Sequence, residues 1–257
     1  MGWFTTWAAR RARGTGSGLL LLGVAVAVGL GAQHCSYPYY AGPVQPAPTQ
    51  EGQVDVADDG TVTFTKDRLE VSLRPMTDEE LNRAFASQSQ AGPKSTNPYT
   101  FANAEVGVHK EAPSRFAVFL LRVKNYAYPK VRIDPSQIVL RTGNGREYWS
   151  LNLQQLDSYF RAYATGFHGN AYRRYKERLD VLARTMFRGE DVFSGQETSG
   201  YVVFPALHPD VEEMQVELLE ANLRFDYRNE PVETAQIAYH FVRDVGRMTP
   251  RGIELRQ

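Results

Sequence analysis

One segment limits the fold more than any other. Arg115–Asn125 (RFAVFLLRVKN) is apolar on both faces until Arg122. A strand with one wet face alternates apolar and polar residues, whereas a strand covered on both sides does not. The segment therefore predicts a central strand of a sheet packed between two layers. Shorter segments fit around it: Thr61–Thr65, Leu69–Pro75, Gln137–Arg141, Arg146–Ser150, Gly200–Phe204 and Gln236–Arg243. Met214–Tyr227 alternates through Val216, Leu218, Leu223 and Phe225 and reads as one or two segments bent near Glu220–Asn222. Thr142-Gly143-Asn144-Gly145 joins two of these strands, and Asn-Gly favours the φ > 0 residues of a primed hairpin turn. Six to eight short strands separated by turn signals predict a two-sheet sandwich.

Two stretches depart from this period. Thr77-Asp78-Glu79-Glu80 has the form of a capping box, with Leu81 and Phe85 following at i,i+4, and predicts a short helix. In Leu151–Phe187, helical spacing links Leu156, Phe160 and Tyr163, and again Tyr172, Tyr175, Leu179, Leu182 and Met186. Gly166–Asn170 separates the two runs, so the reading is an inserted helical hairpin, 151–188, with an aromatic stripe on the sandwich. The expected class is mainly β with a helical insertion (α+β).

The strand RFAVFLLRVKN, then Ile133-Asp134-Pro135-Ser136 leading into IVLRTGNGREY, then FSGQETSGYVVFP, resembles Ig-like β-sandwich domains of uncharacterised bacterial envelope lipoproteins. The resemblance covers roughly Val62–Arg243 without the helical insert. It implies architecture and envelope location, not a reaction. Within that frame Asn125 and Gly195 would serve turns, and Gly200 would let a strand start beside a neighbour.

The front of the chain reads as an address. Trp3–Arg13 is short and basic, and Gly18–Ala32 carries no charge but is short of the roughly 20 apolar residues of a spanning helix. A basic n-region before an apolar h-region is the secretory signal pattern, giving a signal peptide over 1–35. Cys35 is the single cysteine and sits where bacterial lipoproteins are lipidated. The Gln33-His34 before it departs from the small residue usual there. Cleavage after Ala32 and an uncleaved N-terminal anchor stay open beside lipidation. Residues 36–60, rich in proline, are expected to form an extended tether, 61–245 the sandwich domain and 246–257 a tail.

Chemistry is sparse. The five His (34, 109, 168, 208, 240) form no HxH or HExxH pair, so no metal ligation is expected. Asp55, Asp58, Asp59 and Gly60 fail the calcium-loop template at its third and twelfth positions, Ala57 and Lys66. His240 reads as an ordinary strand residue. No catalytic constellation and no cofactor is expected.

The 29 Lys+Arg balance 29 Asp+Glu, which argues against holding nucleic acid by bulk charge. One local excess stands out. Between Tyr159 and Arg188, seven bases face two acids, with tyrosines interleaved. Tyr172, Arg173, Arg174, Tyr175 and Arg178 are therefore the candidate surface for an envelope protein or an anionic envelope polymer. The plainer reading is an amphipathic insert whose tyrosines are core and whose arginines are wet. The expectation is a non-catalytic cell-envelope module, tethered through lipid or the N-terminal segment. The alternative is an envelope accessory subunit or hydrolase-like enzyme whose site is assembled from distant residues.

Overall fold

The computed structural model describes residues 38–90, 94–102, 114–164 and 170–256. The expected signal peptide and Cys35 lie outside them. The doubly apolar segment is strand β6 (Phe116–Asn125), and it pairs antiparallel on both sides. Its neighbours are β5 (Leu69–Met76) and β11 (Gln196–Pro205). β4 (Val62–Lys66) and β3 (Val54–Val56) complete a five-stranded sheet in the order β11-β6-β5-β4-β3.

The facing sheet is seven-stranded and built on β12 (Glu213–Phe225) and β13 (Pro231–Val242). β12 is one strand, bulged between Leu218 and Ala221. The bulge is where its other neighbour changes, from β8 (Ile138–Thr142) to β7 (Lys130–Ile133). This accounts for the bend read near Glu220–Asn222: one strand serves two partners in turn. β9 (Glu147–Trp149), β10 (Val192–Phe193) and β2 (Gln45–Pro46) take the edges. The β8–β9 hairpin forms, but its turn is not a primed one. Positive φ is confined to Gly145, and Thr142 Oγ1 bonds Asn144 Oδ1 at 2.6 Å.

The two faces of β6 serve different cores. Phe119, Leu121 and Val123 point between the sheets, against Val216, Leu218, Tyr239 and Phe241. Tyr239 crosses that core and donates its hydroxyl to Val71 O at 2.7 Å, so the buried phenol is satisfied. Phe116 and Val118 point outward, under the helical insertion of α3 (Leu153–Ala164) and α4 (Asn170–Thr185). Leu156, Phe160, Tyr175 and Leu182 form the apolar stripe and are buried there. Each large apolar side chain removed from water contributes about 1.5–3 kcal/mol, enough to hold a hairpin that is otherwise polar. The molecule is thus mainly β, a two-sheet sandwich with an inserted helical hairpin.

The capping box forms as the sequence reads, and Gly200 does make a close approach, but not at the start of a strand. Thr77 Oγ1 accepts from Glu80 N (3.2 Å) and Glu80 Oε2 accepts from Thr77 N (2.9 Å), opening α1 (Asp78–Ala84). Gly200 lies mid-strand, and a Cβ there would stand 2.4 Å from Phe187 N. Only glycine lets the chain leaving α4 cross β11 that closely. A four-residue helix, α2 (Ala86–Ser89), starts the stretch after α1.

The expected tether and tail are corrected. Residues 36–60 contain β1 (Tyr39–Ala41), β2 and β3, and 246–257 contains most of β14 (Val245–Thr249) and all of β15 (Gly252–Leu255). β1, β14 and β15 form a third, three-stranded sheet. Prolines resist central strands because they lack a donor, but Pro46 lies in an edge strand, where only one side is paired. Val44 packs on the inter-sheet core, and Gly42 N donates to Asp244 O at 2.8 Å. Among the described residues, the globular unit therefore includes β1 from Tyr39 rather than starting at residue 61.

Candidate interaction site

The structure divides the five candidate residues on the helical insertion. Tyr172 is exposed, Arg173 is exposed and paired with Glu177 at 3.3 Å, and Arg174 is half-buried. Tyr175 and Arg178 are not surface groups, which corrects that part of the expectation. The Tyr175 ring is buried, and its hydroxyl donates to Asp157. Arg178 donates to Ser95 O at 2.5 Å, its guanidinium lies 5.4 Å from the Phe160 ring, and burial holds its pKa below the ordinary value. Arg161 pairs with Asp157 and Arg184 with Asp180, each at i,i+4. Three of the seven bases, Arg161, Arg173 and Arg184, are thus paired with carboxylates on their own helices. Lys176 remains at the surface, its Nζ 5.6 Å from the Tyr172 ring and 5.4 Å from that of Tyr175.

A different surface emerges at the end of the sandwich where β5, β7, β11 and β13 begin and β6 and β12 end. Asn125 positions it. Its carboxamide is fully buried and accepts from Tyr128 N (2.9 Å), while its NH2 donates to Tyr128 O and Val192 O (both 2.8 Å). Gly195, at φ 82°, donates its N–H to Asn125 O at 2.7 Å and closes the β10–β11 turn. Both residues do what the sequence assigned them. Asp226 organises the β12–β13 turn, its Oδ1 accepting from Arg228 N and Glu230 N (both 2.8 Å).

The loops so fixed carry aromatic rings flanked by cations. Tyr227 is 88% exposed and Phe193 51%, beside Phe225 and the ring of Tyr128. Together they line a concavity of about 890 Å³. Lys130 Nζ sits 4.1 Å over the Phe225 ring, and the Arg228 guanidinium lies 5.2 Å from that of Tyr227. Such cation–aromatic contacts contribute about 0.5–1 kcal/mol at exposed sites. Burial, and then the hydrogen bond its hydroxyl donates to Asp67 (2.8 Å), pushes the Tyr128 phenol up to about 12.

The acids nearby already have partners. Asp191 takes Arg132 (2.6 Å) and Lys130 (3.3 Å), and Glu233 takes Arg224 (3.1 Å) and Lys66 (2.9 Å). Among the described residues no group of three or more His, Cys, Asp or Glu is placed to hold a metal ion. What the site offers chemically is contact area, aromatic faces and positive charge. Sequence reading missed it because its members come from four separate turns. The available signal was aromatics lodged inside turn segments, Tyr126–Pro129 and Asp226–Asn229.

Elsewhere, His208 Nδ1 lies 2.5 Å from Asp210, which Arg146 also grips, holding that carboxyl down at about 2. His240 is half-buried on β13, its Nε2 4.0 Å from Glu51, while its backbone N–H donates to Gln50 at 3.0 Å.

No protein-family model matches the chain, and no curated protein does. A solved structure that is similar to it is that of a secreted protein from Mycobacterium tuberculosis, MPT63. The identity is 11%, over 64% of this chain and 90% of that one, with a TM-score of 0.30.

Proposed function

We propose that the protein is a non-catalytic interaction module of the cell envelope. It is exported by its leader, held at the membrane through Cys35, and binds an envelope protein with its aromatic loop end. The observation that carries the reading is the pair of exposed rings, Phe193 and Tyr227, beside cations on segments that Asn125 and Asp226 fix. Aromatics and arginine dominate the energetics of protein interfaces, and rigid rings lose little entropy on docking. Sandwich domains present binding loops at their ends in the same way. The paired charges of the helical insertion make it the weaker choice for that role.

A diacylglyceryl thioether at Cys35 would supply two acyl chains, the number that stable anchoring requires. Two variants test the two parts separately. Cys35→Ala is expected to move the protein from the membrane fraction to the soluble fraction; protein that still floats with membranes contradicts the lipid anchor. Phe193→Ser with Tyr227→Ser is expected to leave the thermal midpoint unchanged and abolish partner capture. Capture that survives the double change contradicts the loop-end interface.

A further inference from the structure

The opposite end of the sandwich holds a second concavity, of about 700 Å³. It lies where β5 and β11 finish and β6 begins, and the segment from Pro38 to Val44 forms part of its wall. Its depth reaches Phe119, a fully buried residue of the inter-sheet core. Tyr40, Val44, Met76, Leu207 and Met248 give it apolar sides. The size falls within the usual range for small-molecule sites, and the walls suit a hydrocarbon.

One charge at this site lacks a counter-ion. Arg243 lines the cavity, is half-buried, and donates only to backbone carbonyls, Val211 O at 2.6 Å and His208 O at 2.5 Å. No carboxylate among the described residues lies within ion-pair distance of it. The neighbouring acid, Asp210, is gripped by Arg146 through both terminal nitrogens (2.5 and 3.1 Å) and by His208. Burial also draws the Arg243 guanidinium below its ordinary pKa. Asp78, on another part of the lining, is accounted for by a hydrogen bond with Ser114 and by the field of Arg115. The field of Asp210 partly offsets that burial, but a half-buried guanidinium bonded only to carbonyls has no ion-pair partner of its own, and its fork matches carboxylate or phosphate.

We propose that this cavity binds an acyl chain ended by an anionic head, a fatty acid or an anionic phospholipid, with the head at Arg243 and the chain running toward Phe119. The proposal does not depend on lipidation of Cys35 or on the loop-end interface.

The test uses the full-length protein reconstituted in phosphatidylcholine vesicles. Diazirine-bearing palmitic acid, hexadecanol or phosphatidylglycerol is added, irradiated, and the labelled peptides are mapped. Label is expected within 38–44, 75–78, 116–119, 206–209 and 243–248. The acid should label about tenfold more than the alcohol, the size of one charge-assisted hydrogen bond lost. Ala117→Phe, which fills the cavity, should remove the label, and excess unlabelled palmitate should do so without any substitution. Labelling by the acid or by phosphatidylglycerol supports the proposal and identifies the source. Label spread over the surface, equal labelling by the alcohol, or no labelling by either anionic probe overturns it.

Discussion

The carboxamide of Asn125 binds Tyr128 twice, accepting from its backbone N–H at 2.9 Å and donating to its carbonyl at 2.8 Å. The same NH2 reaches Val192 O on β10. One side chain at the end of the central strand therefore sets the β6–β7 loop and fastens it to the strand that carries Phe193. Asn125→Ala would remove the side-chain partner of both Tyr128 backbone groups, while Val192 O keeps its place in the β10–β7 ladder. Each orphaned group costs about 1–3 kcal/mol, so a loss of about 2 kcal/mol or more in urea unfolding is expected. Unchanged stability would mean the loop is held by something else.

The helical insertion gives a contrast between neighbouring arginines. Arg178→Ala removes the bond to Ser95 O and the contact with the Phe160 ring, and should destabilise by about 1–3 kcal/mol. Arg173→Ala, on the exposed side, should stay within about 0.5 kcal/mol, because exposed pairs such as Arg173–Glu177 contribute little. Thermal melts of the two variants side by side check the burial assignment. Equal effects would contradict it.

Acid should weaken the fold in a defined window. The Arg146 hydrogen bond, followed by that of His208, holds Asp210 at about 2, and Arg132 draws Asp191 down. A carboxyl depressed in the folded state contributes stability above its unfolded value, about 3.9, and that contribution is lost as pH falls toward the folded value. Thermal midpoints should therefore drop between about pH 4 and pH 2, less steeply in high salt because the pairs are partly exposed. Asp78, raised by burial, acts in the opposite sense and chiefly above about pH 4, between its unfolded and its raised folded value. Asp210→Asn should flatten the profile; an unchanged slope would contradict the pairing.

What could be read from the sequence divides along physical lines. β6 was legible because a short segment apolar on both faces must be covered on both, and α3 and α4 were legible from residue spacing. The Pro-rich segment was not, since an edge strand and a solvated tether share one composition. β15 was missed because Ile253 and Leu255 are exposed, so only backbone pairing with β14 defines it. Tyr175 and Arg178 looked like surface groups because their polar partners, Asp157 and Ser95, lie 18 and 83 residues away. The loop end escaped for the same reason: turns distant in sequence meet only after the sheets are stacked.

The role of that loop end is tested most directly by site-specific photocrosslinking in the native host. Benzoylphenylalanine is placed at position 227, at 193, or at 172 on the helical face of the full-length protein. Positions 227 and 193 are expected to capture one and the same envelope protein, and position 172 none. Capture from 172 alone, or no capture from either loop position, would contradict an interface at the loop end.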